Sequence, residues 1–301
     1  MGGYLEGKAI AVTGAGRGIG RAVALACAAE GARVVVADYG VGIAGEEPTS
    51  DVADAVVKEI ADAGGTGVAV ADTVTTMAGG ERIVQTALDR WGSIDGVVCV
   101  AGILRERMLF NMSEEEFDPV VETHLKGTFT VFRAASAVMR KQGSGTLVGF
   151  TSGAYAGSVA QANYSAAKGG IVSLVRSAAV GLSRYGVTAN AIAPVARTRM
   201  SANVPTELAE IGEPEDVAPL VVYLLSDQAR HVTGQVYTAV GGKIAVWNQP
   251  TEVRAMYKDG RWTPQEIEAR LDSTVGQERM ALLDRLEAMR QPAAAGDRPN
   301  A

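Results

Sequence analysis

The chain has 301 residues, 47% hydrophobic and 21% charged, a balance that suits one large globular α/β domain, or at most two smaller ones, and excludes a disordered chain. Its formal net charge is −6 with only 28 Lys and Arg, so it lacks the basic stripe of a nucleic-acid binder. No run of ~18 apolar residues is present, which argues against a membrane-spanning helix.

Residues 9–12 read as a strand, and 19–30 as a helix ended by Gly31. A strand at 34–37, a helix at 52–63 closed by Gly64 and Gly65, and a strand at 68–70 follow. Then come a helix at 80–91, a strand at 96–100, a helix at 117–140, a strand at 146–150, a helix at 164–185 and a strand at 188–192. A helix at 217–226 and a strand at 236–240 complete the series. The alternation predicts βαβ units and an α/β, doubly wound parallel sheet covered on both faces. The pattern stops at Gly241-Gly242, which divides the chain into a domain at 1–242 and an extension at 243–301. The extension reads as polar and helical, with Pro250 and Pro264 as breaks and a Pro/Ala/Gly-rich stretch at 291–301 expected to be disordered. The N-terminal residues form no secretory signal, and Glu6 stands where N-myristoylation at Gly2 would want Ser or Thr. Cys27 and Cys99 lie in apolar stretches, which favours a reducing, cytoplasmic setting.

The first strand runs into Thr13, Gly14, Ala15, Gly16, Arg17, Gly18, Ile19 and Gly20, and then into a helix. Glycines at such a turn let the backbone approach a pyrophosphate, and the helix N-terminus offers free N–H groups and a partial positive charge. Glycine clusters also make ordinary tight turns, so context decides. Asp38 closes the second strand 18 residues after Gly20, where a carboxylate accepts from ribose hydroxyls and repels a 2′-phosphate. The expected cofactor is therefore NAD. Arg17 and Arg33 weigh against it, since an arginine can accommodate that phosphate. Tyr164 and Lys168 stand at i and i+4, on one helical face. A nearby cation favours the phenolate and moves Tyr164 toward general acid/base work. Tyr4 and Lys8 share that spacing without the context and carry no meaning.

In combination these residues resemble the short-chain dehydrogenase/reductase family, over residues 6–242. Asp72 after the third strand, Ala101-Gly102 after the fourth, Asn190-Ala191-Ile192-Ala193-Pro194 and Thr233-Gly234-Gln235 add to the likeness. The resemblance implies a Rossmann-type fold. It implies cofactor contacts from Ile19, Asp72, Thr73, Ala101, Gly102 and Pro194, with Asp72 at the adenine and Thr198 near the carboxamide. Lys168 would hold the nicotinamide ribose, and a serine would position the substrate oxygen. Counting forward from Gly145 makes that serine Ser152; counting back from Tyr164 gives Thr151. Strands tolerate deletions worse than loops, so the expectation falls on Ser152 with Thr151 as the alternative. Two positions depart from the family: Cys99-Val100 replaces Asn-Asn, and His124 replaces an asparagine that helps hold a water in a proton relay, where the histidine either holds that water as a catalytic residue or is structural.

A narrower likeness is to the dehydrogenase domain of peroxisomal multifunctional β-oxidation enzymes, carried by residues 101–107, 123–129, 161–168, 192–194, 199–200 and 217–221. His replaces the asparagine there too, and the implied reaction is NAD-dependent oxidation of (3R)-hydroxyacyl-CoA, with relatives acting on steroid hydroxyls. No metal is expected, because His124 and His231 are the only histidines and show no ligand spacing. Arg105, Arg107, Lys126 and Arg199 are expected near the mouth, where they either meet coenzyme A phosphates or stand as ordinary solvated surface charges. Apolar stripes on the helices at 117–140 and 164–185 predict a homodimer or homotetramer. Two other readings remain open: a catalytically silent NAD-binding regulatory or scaffold protein, supported by Cys99-Val100 alone, and a nucleotide-sugar dehydratase or epimerase, for which the chain lacks a substantial substrate domain.

Overall fold

The computed structural model describes residues 3–41, 49–198, 211–276 and 278–290. Period-two alternation sets its layers. In β1 (Ala9–Thr13), Ile10 and Val12 pack into one core and Ala11 into another. β2 (Arg33–Ala37) divides in the same way, with Val34 and Val36 against Val35 and Ala37. β4 (Gly96–Cys99) and β5 (Gly145–Phe150) follow suit, so these strands are apolar on both faces, as a covered parallel sheet requires. With β3 (Thr66–Val70), β6 (Val187–Pro194) and β7 (Val236–Val240), the parallel order is β3-β2-β1-β4-β5-β6-β7.

Helices α1 (Gly18–Ala29), α2 (Asp51–Asp62) and α7 (Ala218–Leu225) cover one face with Val23, Val56, Ile60 and Val221. On the other lie α3 (Met77–Trp91), α5 (Gly127–Gln142) and α6 (Ala162–Leu182), which bring Ile83, Val131, Met139 and Ile171. The expected doubly wound α/β sheet is what forms. Its strand order reverses between β1 and β4, and a crevice at the carboxyl ends of the strands beside that point is where such sheets bind ligands.

Three elements differ from the sequence reading. The helix expected at 117–140 is α4 (Glu114–Val121), a π-helical turn (Glu122–Lys126) and α5. A capping box between Ser113 and Glu116 starts α4. Pro119 has no N–H for the carbonyl of Glu115, and that carbonyl accepts from Arg105 Nη1 at 2.6 Å instead. The second difference is β8 (Lys243–Val246), which pairs antiparallel with β7 past Gly242, so the compact unit runs through Trp247. Third, Pro264 opens a helix instead of breaking one. In the separate unit from residue 248 onward it stands in the first turn of α8 (Pro264–Thr274), behind the Thr263 cap, and α9 (Ala281–Arg290) follows. Arg199, Met200 and the stretch at 291–301 lie outside the described residues.

Candidate active site

A cleft of about 850 Å³ opens along the carboxyl ends of the strands. Its floor at one end is the turn from β1 to α1. Gly14 takes φ +66°, and a Cβ there would come within 2.7 Å of the Ala101 backbone, so the turn can seat itself only with glycine. No side chain caps α1 and no acid lies in its first turn, which leaves its N–H groups available to a phosphate. Asp38 follows β2 directly and is half-buried; one carboxylate oxygen accepts from Gly16 N and the other from Gly40 N, each at 2.7 Å. Gly16 therefore holds Asp38 and does not itself line the cleft, whereas Gly14, Arg17, Gly18, Ile19, Gly20 and Asp38 do. Asp72, Thr73, Ala101, Gly102, Pro194 and Thr198 line it further along. Asp72 accepts from Thr73 N at 2.7 Å and pairs with Arg82. Arg33 sits at the opposite end of β2 from Asp38, where it donates to Gly7 O and lies over Trp91. It is too remote to receive a 2′-phosphate, which leaves Arg17 as the remaining counterweight. The uncapped helix end, the close-packed glycine turn and the anchored carboxylate fit a nicotinamide dinucleotide.

At the other end the structure gathers Ser152, Tyr164, Lys168 and His124 around one space. Lys168 is buried, and its Nζ donates to Phe150 O at 2.6 Å and lies 5.4 Å from the centre of the Tyr164 ring. Burial lowers the Lys168 ammonium to about 7. The expected depression of the Tyr164 pKa does not appear. Burial pushes the phenol up, and a hydrogen bond from Ser152 opposes the rise. The two candidate hydroxyls separate cleanly. Thr151 is buried, and its Oγ1 donates to Lys168 O at 2.8 Å. Ser152 Oγ accepts from Ala154 N at 3.2 Å and keeps its proton for a partner in the cleft.

His124 is carried inward by the π-helical turn, a geometry often found at functional sites. Its Nε2 lies 2.8 Å from Ile103 O and 3.2 Å from Ile103 N, and its ring stands edge-on to Tyr164 at 5.1 Å. Nδ1 is buried with no hydrogen-bond partner among the described residues. Burial holds the imidazole pKa well below its usual value, and the charge of Lys168 adds to this, so the ring is neutral. A Cβ on Gly102 would fall 2.1 Å from His124 Cε1. Cys99 is buried in the sheet between Thr13 and Gly149, and burial keeps its thiol protonated; Val100 lines the cleft.

Sequence reasoning missed Asn163. It is fully buried; its Nδ2 donates to Arg105 O at 2.9 Å and to Glu116 O at 2.7 Å, while Oδ1 accepts from Tyr164 N at 2.7 Å. One side chain thus ties α4, the loop after β4 and the start of α6 together beneath Tyr164. Its place just before Tyr164, at a helix start, was the available signal. The wall around this end includes Ile103, Leu104, Pro119, Ala154, Val195 and Ile211 and is largely apolar. The expected cluster of cations at the mouth does not form among the described residues. Arg107 pairs with Glu116 and Lys126 with Glu122, so of these three cations Arg105 alone lines the cleft, and Arg199 lies outside the described residues. The run of acids at 114–116 and 122 supplies these partners, and charge counting that looked only at cations overlooked them. Among the described residues no group of His, Cys, Asp and Glu could hold a metal ion, and no helix is long and apolar enough to cross a membrane.

The family model described as enoyl-(acyl carrier protein) reductase matches residues 14–243. The chain belongs to the short-chain dehydrogenase/reductase family, and it is an oxidoreductase of that type. It is 41% identical to the hydroxyacyl-CoA dehydrogenase ChsB1 of Mycobacterium tuberculosis over 95% of both chains. It is also 41% identical to the mouse peroxisomal multifunctional enzyme type 2, over 87% of this chain and 36% of that longer protein. A crystal structure of a short chain dehydrogenase from Mycobacterium avium superposes with a TM-score of 0.83 at 47% identity, covering 92% of this chain and 98% of that one. Dehydrogenases of this family use nicotinamide cofactors.

Proposed function

We propose that the chain interconverts a secondary alcohol and a ketone with NAD, on a 3-hydroxyacyl-CoA or hydroxysteroid-type substrate. The observation that carries this reading is the convergence of Ser152, Tyr164 and Lys168 at the apolar end of a cleft whose other end presents Asp38. NAD would supply the hydride acceptor, held by the glycine turn, Asp38 and Lys168. Asp38, already anchored by two amides, favours ribose hydroxyls and disfavours a 2′-phosphate. Tyr164 exchanges the hydroxyl proton, and Ser152 orients the oxygen on which charge develops. Lys168, whose pKa burial lowers to about 7, is poised to gain or lose a proton near neutrality. Neutral His124 offers its buried Nδ1 as an acceptor behind Tyr164, suited to a proton relay.

The apolar wall favours an acyl or steroid substrate, and the hydroxyacyl-CoA dehydrogenase among the relatives supports the acyl reading. Partly exposed Phe117, Phe129 and Val180 on α4, α5 and α6 favour a homodimer or homotetramer, and two unpaired buried cysteines favour the cytoplasm. We assign the catalytic and cofactor-binding residues to 1–242, within the compact unit that β8 and Trp247 complete, and treat the residues from 248 onward as an extension. The test is NADH formation on a panel of 3-hydroxyacyl-CoAs and hydroxysteroids, with NADP in parallel. Turnover with NAD on either class supports the reading. Tight NAD binding with no turnover on any member would point to the silent regulatory protein instead.

A further inference from the structure

β8 buries little of itself. Ile244 and Val246 are 60% and 61% exposed, and the large side chain turned inward is that of Trp247, immediately after it. Trp247 lies past residue 243, where the family match ends. Two bonds fix it to β7: its amide donates to Val236 O, and its indole Nε1 donates to Thr238 Oγ1, both at 2.9 Å. The indole then lies on Tyr155, with ring centroids 4.8 Å apart and planes at 57°. Tyr155 belongs to a short 3-10 turn (Gly153–Ala156) that starts directly from Ser152. Tyr155 N donates to Ser152 O, and Ala154 N donates to Ser152 Oγ. Gly153 and Ala156 are exposed, so the turn has little packing of its own, and Tyr155 is the large side chain that can fix it. Ser152, Gly153 and Ala154 line the cleft, with Tyr155 behind them.

We infer that Trp247 is a positioning residue for the reaction: by clamping Tyr155 it holds the turn that presents the Ser152 hydroxyl beside Tyr164. The inference rests on the reading that Ser152 orients the substrate oxygen. A misplacement of about 1 Å at such a group costs up to ~10²-fold in rate. On the substrate the panel identifies, Trp247→Ala is expected to lower kcat about tenfold while NADH affinity stays unchanged, because the glycine turn lies elsewhere. Trp247→Phe, which keeps a ring on Tyr155, should recover most of the loss. Tyr155→Leu removes the clamp from its other side and should reproduce the defect, which also serves if Trp247→Ala does not fold. In a Ser152→Ala background, Trp247→Ala should cost no more than about twofold, since the group it positions is gone. Unchanged kcat in Trp247→Ala or, should that variant not fold, in Tyr155→Leu overturns the inference, as does an equal loss with and without Ser152. Full activity in the Ser152→Ala single variant refutes the serine assignment itself and takes this inference with it.

Discussion

At the glycine-turn end of the cleft the chain works mostly through its own backbone, whereas at the tyrosine end four separate segments must be tied together. The first end consists of one turn, one helix terminus and a carboxylate gripped by two amides. Its parts run only from Gly14 to Gly40 in sequence, so its shape is nearly a local property. The second end assembles the loop after β4, the π-helical turn, the end of β5 and the start of α6. Side chains bonded to main-chain groups hold it: Arg105 to Glu115, Asn163 to Arg105 and Glu116, His124 to Ile103, Thr151 to Lys168. A site of the first kind tolerates change around it; a site of the second kind is exposed to any substitution that loosens a tie.

The sharpest way to set the two ends apart is Tyr164→Phe. Turnover should fall by about 10²–10⁴-fold, the range of a lost general acid/base, while NAD binding at the glycine turn persists. Normal turnover would remove Tyr164 from the chemistry. Lys168 gives a pH test. Its folded pKa of about 7 lies below the ordinary 10.5, so between these values the unfolded chain binds a proton that the folded chain does not. Stability should therefore fall as pH drops from about 10.5 to about 7 and level off below. Urea unfolding of Lys168→Met against the parent should show the variant gaining relative stability over that window, and a gap that is flat or of opposite sign rejects the buried-cation picture.

Ser152→Ala should lower kcat by about 10²-fold with little change in stability. Thr151→Ala should show the reverse, about 1 kcal/mol of stability lost with its bond to Lys168 O and a smaller effect on rate. If Thr151→Ala is the crippled enzyme, the two hydroxyls have been assigned the wrong way round. Gly102→Ala forces a Cβ onto His124 and should cost about 1–3 kcal/mol, read by thermal or urea unfolding. The smallest effect is expected at the local end. Asp38→Ala should erode an NAD-over-NADP preference in kcat/KM by about tenfold, or 1.4 kcal/mol, without disturbing the fold, and an unchanged ratio would detach Asp38 from cofactor choice.

This contrast also explains what could be read from the sequence. The layered sheet was legible because Val34, Val35 and Val36 and their counterparts fill both faces of buried strands. The glycine turn, Asp38 and the Tyr164/Lys168 spacing were legible because each is a short local pattern. The π-helical turn was not, since Glu122–Lys126 has ordinary helix formers on either side and only the demands of packing His124 beside Ile103 distinguish it. β8 was invisible for another reason: a four-residue edge strand with Ile244 and Val246 turned to solvent shows no polar-out alternation. The balance between Tyr164 and Lys168 was misjudged because sequence gives the spacing of two charges but not the burial that governs both.

The fit of Gly102 under His124 bears on how this chain can vary. The imidazole fills the space a side chain at 102 would need, so the two positions are not free to change in either order. A larger residue at 102 comes at a cost in stability unless 124 has shrunk first, and once 102 has grown, histidine cannot return to 124 without the same clash. Substitution at this spot therefore works as a ratchet: the sequence of events, and not only the end state, determines which combinations of wall and ring the site can reach.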